Sequence, residues 1–567
     1  MLRNVLSAFR NFFRGKSRSG EIAPDEIFLD AANLPSLDEQ QFEGRFEKPI
    51  SNKAMFGLVV SFLVVFLVFI SRASFLQVIK GSAYRERSEN NHLRNIPVFA
   101  ERGQIVDRNG VTLASGGADR KYIKISGLSH LLGYVGLPSE LDLAAENSYS
   151  EEPIGKAGIE KIFNKELRGV PGLKVAEVDV KGVLQSENVF RPPVDSKNVT
   201  LSVDSLIQNK LFETIKSLAK ERGFTGGAGV IMDVYTGEVL AMASYPEYDS
   251  NVMTLGDDND LINQYIRDPG KPFLNRAISG LYTPGSIVKP IMAIAALTEK
   301  VITPEKKILS TGSISIVNPY DKTQKTVFND WKAHGWVDMR QAIAVSSNIY
   351  FYEVGGGYEN QKGIGIAKIE QYANMFGLGE KTGIEIEGEG VGLVPSPAWK
   401  LENFKGEPWR IGDTYHTSIG QYGFQVTALQ MARAIGGIAT GRLVQPTILK
   451  RDLPIPISVR DIVADESSLK VVREGMRMAV NTGSAGGLNI AQVAVAAKTG
   501  TAELGISKAN VNSWVEGFFP YEHPRYSFSV VMESGKRANT IGGVYVMRQL
   551  LDWMSLYSSS YLTSGLR

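Results

Sequence analysis

A chain of 567 residues exceeds what one hydrophobic core supports, so two or three domains are expected. Its 62 Lys and Arg against 60 Asp and Glu give a net charge of +2, and 43% hydrophobic with 22% charged residues is a globular composition, so no nucleic-acid partner is expected. There is no cysteine, which excludes thiol catalysis, disulfides and cysteine-ligated metal; the five histidines form no H-E-x-x-H, no G-x-S-x-G or Walker A pattern occurs, and no metal or cofactor is expected.

Met1 to Lys16 sets Leu2, Val5, Leu6, Phe9, Phe12 and Phe13 among Arg3, Arg10, Arg14 and Lys16. That pattern fits a short basic helix on a membrane surface and equally a solvated tail. The acidic stretch Glu21 to Glu47 reads as a flexible cytosolic linker. Ala54 to Ile70, bounded by Lys53 and Arg72, is an uncharged apolar run broken only by Ser61. It is close to the minimum of about 17 residues for a bilayer span, and no A-x-A cleavage site follows, so it reads as a permanent anchor. Basic residues flank it on both sides, and charge therefore leaves the orientation open. The division expected is a cytoplasmic tail at 1–53, a transmembrane helix at 54–72, a spacer domain at 73–222 and a catalytic domain at 223–567.

From Ala73 to Arg222 short strand-like pieces alternate with turns. Asn109-Gly110 between Ile105-Val106 and Val111-Thr112-Leu113 signals a hairpin, and Lys174 to Val180 alternates as a strand does. Beyond Gly223, the runs Ala228 to Asp233 and Glu238 to Ala243 predict two strands. Helices are expected at Ser286 to Lys300, at Asp338 to Val345 with Asp338 as N-cap, and at Thr427 to Ile438 with the capping box Thr427-x-x-Gln430. Ser513 to Phe519 and Arg525 to Glu533 read as strands, followed by a helix over Gly543 to Met554. The fold class expected is α/β of the mixed α+β kind, a largely antiparallel sheet layered with helices.

Ser286 and Lys289 stand three apart where Pro284-Gly285 gives way to the apolar run Ile291 to Leu297, and residues at that spacing share a helix face. A serine becomes a nucleophile when a base takes its proton, and lysine can be that base if kept neutral. Moving a lysine pKa from about 10.4 to about 7 costs roughly 4–5 kcal/mol and needs burial or a second cation. The spacing alone carries little, since it recurs at Ser217 with Lys220 and at Ser467 with Lys470 in polar helical settings. Ser346-Ser347-Asn348 is a polar tripeptide between apolar helical segments. Ser346 and Asn348 are either structural hydrogen-bonders or, in the catalytic reading, a proton relay and a holder of substrate amide and Lys289.

Lys-Thr-Gly occurs twice. Lys381-Thr382-Gly383 precedes Ile384-Glu385-Ile386-Glu387, which reads as an exposed acidic strand. Lys498-Thr499-Gly500-Thr501 follows Val493 to Ala497, a small apolar strand able to lie beneath a substrate, and is the copy chosen. Lys498 would be the second cation, Thr499 would bind a carboxylate, and the Thr501 amide would join that of Ser286 in an oxyanion hole.

The order Ser-x-x-Lys, Ser-x-Asn, Lys-Thr-Gly resembles the penicillin-interacting serine enzymes. Arg102-Gly103-x-Ile105-x-Asp107-Arg108-Asn109-Gly110, Gly158-Ile159-Glu160, Asp233-x-x-Thr236-Gly237-Glu238 and Ile419-Gly420-Gln421-Tyr422-Gly423 are similar to segments of class B penicillin-binding proteins. Phe328-x-Asp330-Trp331-x-x-His334-Gly335 and Pro408-Trp409-x-x-Gly412-Asp413-Thr414 look more like their elongation branch than their division branch. The resemblance covers about Phe75 to Glu533. It implies a penicillin-binding/β-lactamase-like transpeptidase domain on a pedestal domain, anchored by one membrane helix with the C-terminal domains outside the cytoplasm. It implies a D,D-transpeptidase acylated at Ser286 by peptidoglycan stem peptides and by β-lactam antibiotics. With no room between anchor and pedestal for a glycosyltransferase domain, the partner implied by family analogy is a multi-pass membrane glycosyltransferase of the shape, elongation, division and sporulation family. The rival readings are a division-type enzyme, a β-lactam sensor or hydrolase, and a non-catalytic wall-synthesis scaffold.

Overall fold

The computed structural model describes residues 51–117, 119–146, 149–178, 184–317 and 321–563. The amphipathic pattern of Met1 to Lys16 and the acidic stretch to Glu47 lie outside the described residues, as do the last two residues of the Lys174 to Val180 strand pattern. The chain divides into two compact units, one ending at His92 and one running from Leu93 to Arg567.

In the first unit helix α1 (Asn52–Ser74) starts at Ser51, whose hydroxyl accepts from the Ala54 amide at 3.2 Å. It contains the expected span, has no buried residue, and with the following π-helical turn Phe75–Ile79 has a mean hydropathy of 2.8 in its most apolar window. A helix apolar on every side is suited to lipid rather than water. Helix α2 (Gly81–His92) follows after a bend at Lys80, so residues 73–79 and 81–92, expected to open the strand-rich region, are helical. Neither Pro nor Gly occurs between Arg72 and Lys80 to stop the first helix.

The second unit begins with strand β1 (Leu93–Val98), which pairs antiparallel with β2 (Gly172–Val178), itself paired with β3 (Leu184–Arg191). The Asn109-Gly110 hairpin forms as expected, joining Ile105–Val106 to Thr112–Ser115. Gly110 has φ +85°, and Asp107 accepts from the amides of Asn109 and Val111. Two of the quoted motifs meet here. Glu160, fully buried, takes Arg102 Nε at 2.7 Å and Arg120 Nε at 2.6 Å.

Helix α3 (Ser205–Arg222), capped by Asp204, lies against β4 (Gly226–Asp233) and β5 (Val239–Tyr245). The chain then enters α4 (Lys289–Thr298), α5 (Met339–Val345), α6 (Asn348–Gly356), α7 (Ala428–Thr440) and α8 (Glu466–Asn481). Last come β6 (Ala496–Leu504), β7 (Asn510–Phe519), β8 (Tyr526–Lys536) and α9 (Gly543–Tyr557). The capping boxes Asp338 with Gln341 and Thr427 with Gln430 both form. Five strands make one antiparallel sheet in the order β5–β4–β8–β7–β6. Both faces are covered. Ala228, Val230 and Met232 of β4 pack into a core with α4, α5 and α7, while Ile231 points to a second core built with Ile207 and Leu211 of α3 and Leu550 of α9. Burial on both sides is why β4 reads as a continuous apolar run.

Three local expectations are corrected. Residues Ile384 to Glu387 form no strand. Ile384 and Ile386 are buried and the Glu385 carboxylate accepts from Thr447 Oγ1 and the Ile448 amide, so the alternation records inward and outward turns of a loop. The apolar strand before Lys498 begins only at Ala496 and carries Lys498 within it. The Ser286 helix is not α from its start: Gly285–Val288 is a 3₁₀ turn, and α4 begins at Lys289.

Candidate active site

The 3₁₀ turn brings Ser286 and Lys289 closer in rotation than an α-helix would, because side chains at i and i+3 eclipse in that geometry. The turn is entered through Gly285, at φ +59°, whose amide donates to Gly420 O at 2.9 Å. Ser286 is half-buried and Lys289 is 0% exposed.

The Ser-x-Asn loop meets it from the opposite side. Helix α5 ends at Ser346, which adopts the left-handed conformation at φ 59°, ψ 40°, and α6 starts two residues later. The break turns the carbonyls of residues 346 and 347 toward one buried amine, which donates to both. Lys289 Nζ donates to Ser346 O at 2.8 Å, to Ser347 O at 3.2 Å, to Asn348 Oδ1 at 2.8 Å and to Ser346 Oγ at 3.5 Å. Lys498, also 0% exposed, donates to the same Ser346 hydroxyl at 2.8 Å and to Thr499 O at 2.7 Å. One hydroxyl, 152 residues from Lys498 in sequence, thus bridges two buried lysines.

Strand β6 is the edge of the sheet, and among the described residues no strand pairs with its outer side. Gly500 allows β6 to press on the Ser286 turn: a β-carbon there would stand 2.9 Å from Pro284 O and 2.8 Å from Ile287 Cγ2. Trp514 Nε1 donates to Thr283 O at 3.0 Å and ties β7 to the same turn. Thr499 and Thr501 lie on β6 beside it, the first hydrogen-bonded to Ser484 Oγ at 2.6 Å.

Burial holds Lys289 well below the ordinary lysine range, and the charge of Lys498 pushes the same way, while Asp330 opposes both. Lys498 is itself pushed down to about 7 by burial, against the pull of Glu516. Both sources of a lowered lysine pKa, desolvation and a second cation, therefore act at one place.

The structure gathers Ser286, Lys289, Ser346, Asn348, Lys498 and the segment Thr499-Gly500-Thr501. It does not bring in the other copy. Lys381 is exposed, and the amides of Thr382 and Gly383 donate to Glu389. Ser217, Lys220, Ser467 and Lys470 are exposed on helices. Asp330 is one residue that escaped the sequence reading as a site component. Asp330 accepts from Ser347 Oγ at 2.8 Å, Ser310 Oγ at 3.1 Å and the Ile349 amide at 3.1 Å, and so anchors the loop that carries Ser346 and Asn348. Its only sequence signal was the Phe328-x-Asp330-Trp331 pattern. Among the described residues no group of three His, Asp or Glu side chains is placed to hold a metal.

Residues 227–550 match the family described as the penicillin binding protein transpeptidase domain, and residues 115–201 match the penicillin-binding protein dimerisation domain. The peptidoglycan D,D-transpeptidase MrdA of Salmonella typhimurium is 31% identical over 517 residues, covering 85% of this chain and 80% of that one. Among solved structures, penicillin-binding protein PBP2 of Helicobacter pylori in complex with MreC superposes with a TM-score of 0.70 at 27% identity, over 82% of this chain and 99% of that one. A chain from a peptidoglycan synthase complex that coordinates polymerization and crosslinking superposes with a TM-score of 0.69 at 26% identity, over 88% and 97%.

Proposed function

The chain belongs to the class B penicillin-binding proteins of the elongation type and is a serine-type peptidoglycan D,D-transpeptidase, and on that premise we propose that Ser286 is the residue acylated. The observation that carries the assignment is the Ser346 hydroxyl held between two fully buried lysines, of which Lys289 stands one turn from Ser286. Burial and the charge of Lys498 disfavour the charged form of Lys289, which as the base takes the Ser286 proton as Oγ attacks the penultimate D-Ala carbonyl of a stem peptide. The amides of Ser286 and Thr501 receive the oxyanion. Collapse breaks the peptide bond, and the departing D-Ala amine takes the proton that Lys289 received, passed through Ser346 Oγ, to which charged Lys498 donates as the second cation. The acceptor amine of a neighbouring stem then attacks the ester, its proton returns by the same relay, and Ser286 leaves as the hydroxyl. Asn348 holds the substrate amide and Lys289, and Thr499 and Gly500 receive the donor on the open edge of β6, as an added strand would dock. β-Lactams enter as the donor does and remain as the ester.

The same reading keeps a cytoplasmic tail at 1–53, a span at 54–72, a pedestal at 73–222 and a transpeptidase domain at 223–567, the last two outside the cytoplasm where stem peptides are cross-linked. It takes a multi-pass glycosyltransferase of the shape, elongation, division and sporulation family as partner, supported by the similarity to a chain of a peptidoglycan synthase complex. Labelling with a fluorescent penicillin tests the core of it. The intact protein forms a covalent adduct that Ser286→Ala lacks; equal labelling of both removes the assignment.

A further inference from the structure

Two wholly buried ionisable side chains oppose each other in the sheet. Lys498 of β6 and Glu516 of β7 are register partners, and each is 0% exposed. Directly opposed residues of an antiparallel pair project from the same face with Cβ atoms about 4.5–5.5 Å apart. On its other side Glu516 is in register with Ser529 of β8. The three make a row across the strands, on the face where Trp514 and Phe518 of β7 join the core of α4, α5 and α7. The Lys498 amine is turned to Ser346 and Thr499, whereas among the described residues neither Glu516 oxygen, nor Ser529 Oγ, has a hydrogen-bond partner. A buried carboxyl without a donor is poorly tolerated unless its charge is removed or matched. The positions two before and two after it on the same face of β7 are filled by Trp514 and Phe518, both buried, so this face of the strand accommodates apolar side chains readily.

We infer that Glu516 is a positioning residue for Lys498, the two binding a single proton between them so that Lys498 keeps one for Ser346 at pH values where a lysine buried alone would have lost it. The inference rests on the role given to Lys498 above. With one proton in the pair, either the amine and carboxyl are both charged or both are neutral, and the buried sheet never holds an isolated charge. Burial pushes the Glu516 carboxyl well above its usual range and Lys498 down to about 7, and the charge of each opposes the other's displacement. Other charged groups near the row are few. Lys289 comes from the start of α4, with Asp330 and His334 behind it on the loop before α5. Arg477 of α8 is bonded to Val495 O, and Arg433 of α7 to Val444 O and Glu380. The charge that opposes the lowering of Lys498 is that of Glu516.

The full-length protein in detergent, acylated by a fluorescent penicillin across a pH series, provides the test. Acylation requires Lys289 neutral and Lys498 charged, so the rate rises and then falls with pH. Glu516→Gln removes the one charge that raises Lys498, and the falling limb should move to lower pH by about one unit. A residue that only fills space would lower the melting temperature and leave the limb in place, and that result overturns the inference. If Glu516→Gln does not fold, Glu516→Leu is read the same way: a displaced limb supports the inference and an unmoved one overturns it. Lys498→Ala separates the two levels. Acylation retained there removes Lys498 from the site, whereas acylation lost there with an unmoved limb in Glu516→Gln removes Glu516 alone.

Discussion

Gly500→Ala isolates the contact between the edge strand and the Ser286 turn. The new β-carbon would lie 2.8 Å from Ile287 Cγ2, 2.9 Å from Pro284 O and 3.3 Å from Trp514 Cβ. Carbon contacts settle near 3.5–4.0 Å, a shortfall of roughly half an ångström or more. Ile287 is fully buried and Pro284 O is main chain, so neither can swing aside; relief comes from moving β6 away from the turn. Overpacking of this kind costs about 1–3 kcal/mol of stability. In the proposed mechanism the reaction suffers more, because its two oxyanion donors, the amides of Ser286 and Thr501, stand on the two parts being separated. Full loss of one oxyanion donor costs about 3–4 kcal/mol, and partial displacement about 1.5–3 kcal/mol, a ten- to hundredfold fall in rate. The assay is the second-order rate constant for acylation by a fluorescent penicillin, with thermal unfolding of the same samples. The expected result is a rate lowered at least about tenfold with a melting temperature lowered by only a few degrees. A wild-type rate would refute the reasoning, since the strand would then have absorbed a methyl without disturbing the donors.

Lys498→Ala should abolish acylation while Lys381→Ala, exposed and remote from the lysine pair, should retain most of it; the opposite pattern would assign the site to the other Lys-Thr-Gly. Asp330→Asn should slow acylation by loosening the loop bonded at Ser347 Oγ and the Ile349 amide, and should also shift its pH dependence. The carboxylate favours the charged form of Lys289, so its removal lowers that pKa further. In the proposed mechanism Lys289 acts as a neutral base, so the rising acid limb should move to lower pH, and a limb moving upward would contradict that role.

Local chemistry was the part legible in sequence. Asp338 and Thr427 announce helix starts because an N-cap and its partner three residues on satisfy amides that nothing else reaches. The hairpin at Asn109-Gly110 and the two last strands of the sheet follow from turn residues and apolar runs. The Ile384 to Glu387 segment shows where that logic fails: alternation says which side chains are buried, not whether another strand lies alongside. At the site, the order of three short motifs sufficed to nominate the residues, but not the connections. That Lys498 and Lys289 converge on one serine hydroxyl depends on the packing of β6 against the turn, a contact between segments some 200 residues apart that no local pattern encodes. Asp330 and Glu516 were missed because, in sequence, a carboxylate beside a tryptophan or within an apolar strand carries no spacing rule.

Ser346 has a cost written into its backbone. A left-handed conformation at a residue with a β-carbon is disfavoured by about 1–2 kcal/mol, and glycine would relieve it. Glycine there would also delete the hydroxyl between the lysines. The corner at which α5 ends is therefore less stable than the same fold could make it, and selection for thermostability alone would favour glycine there at the expense of the hydroxyl.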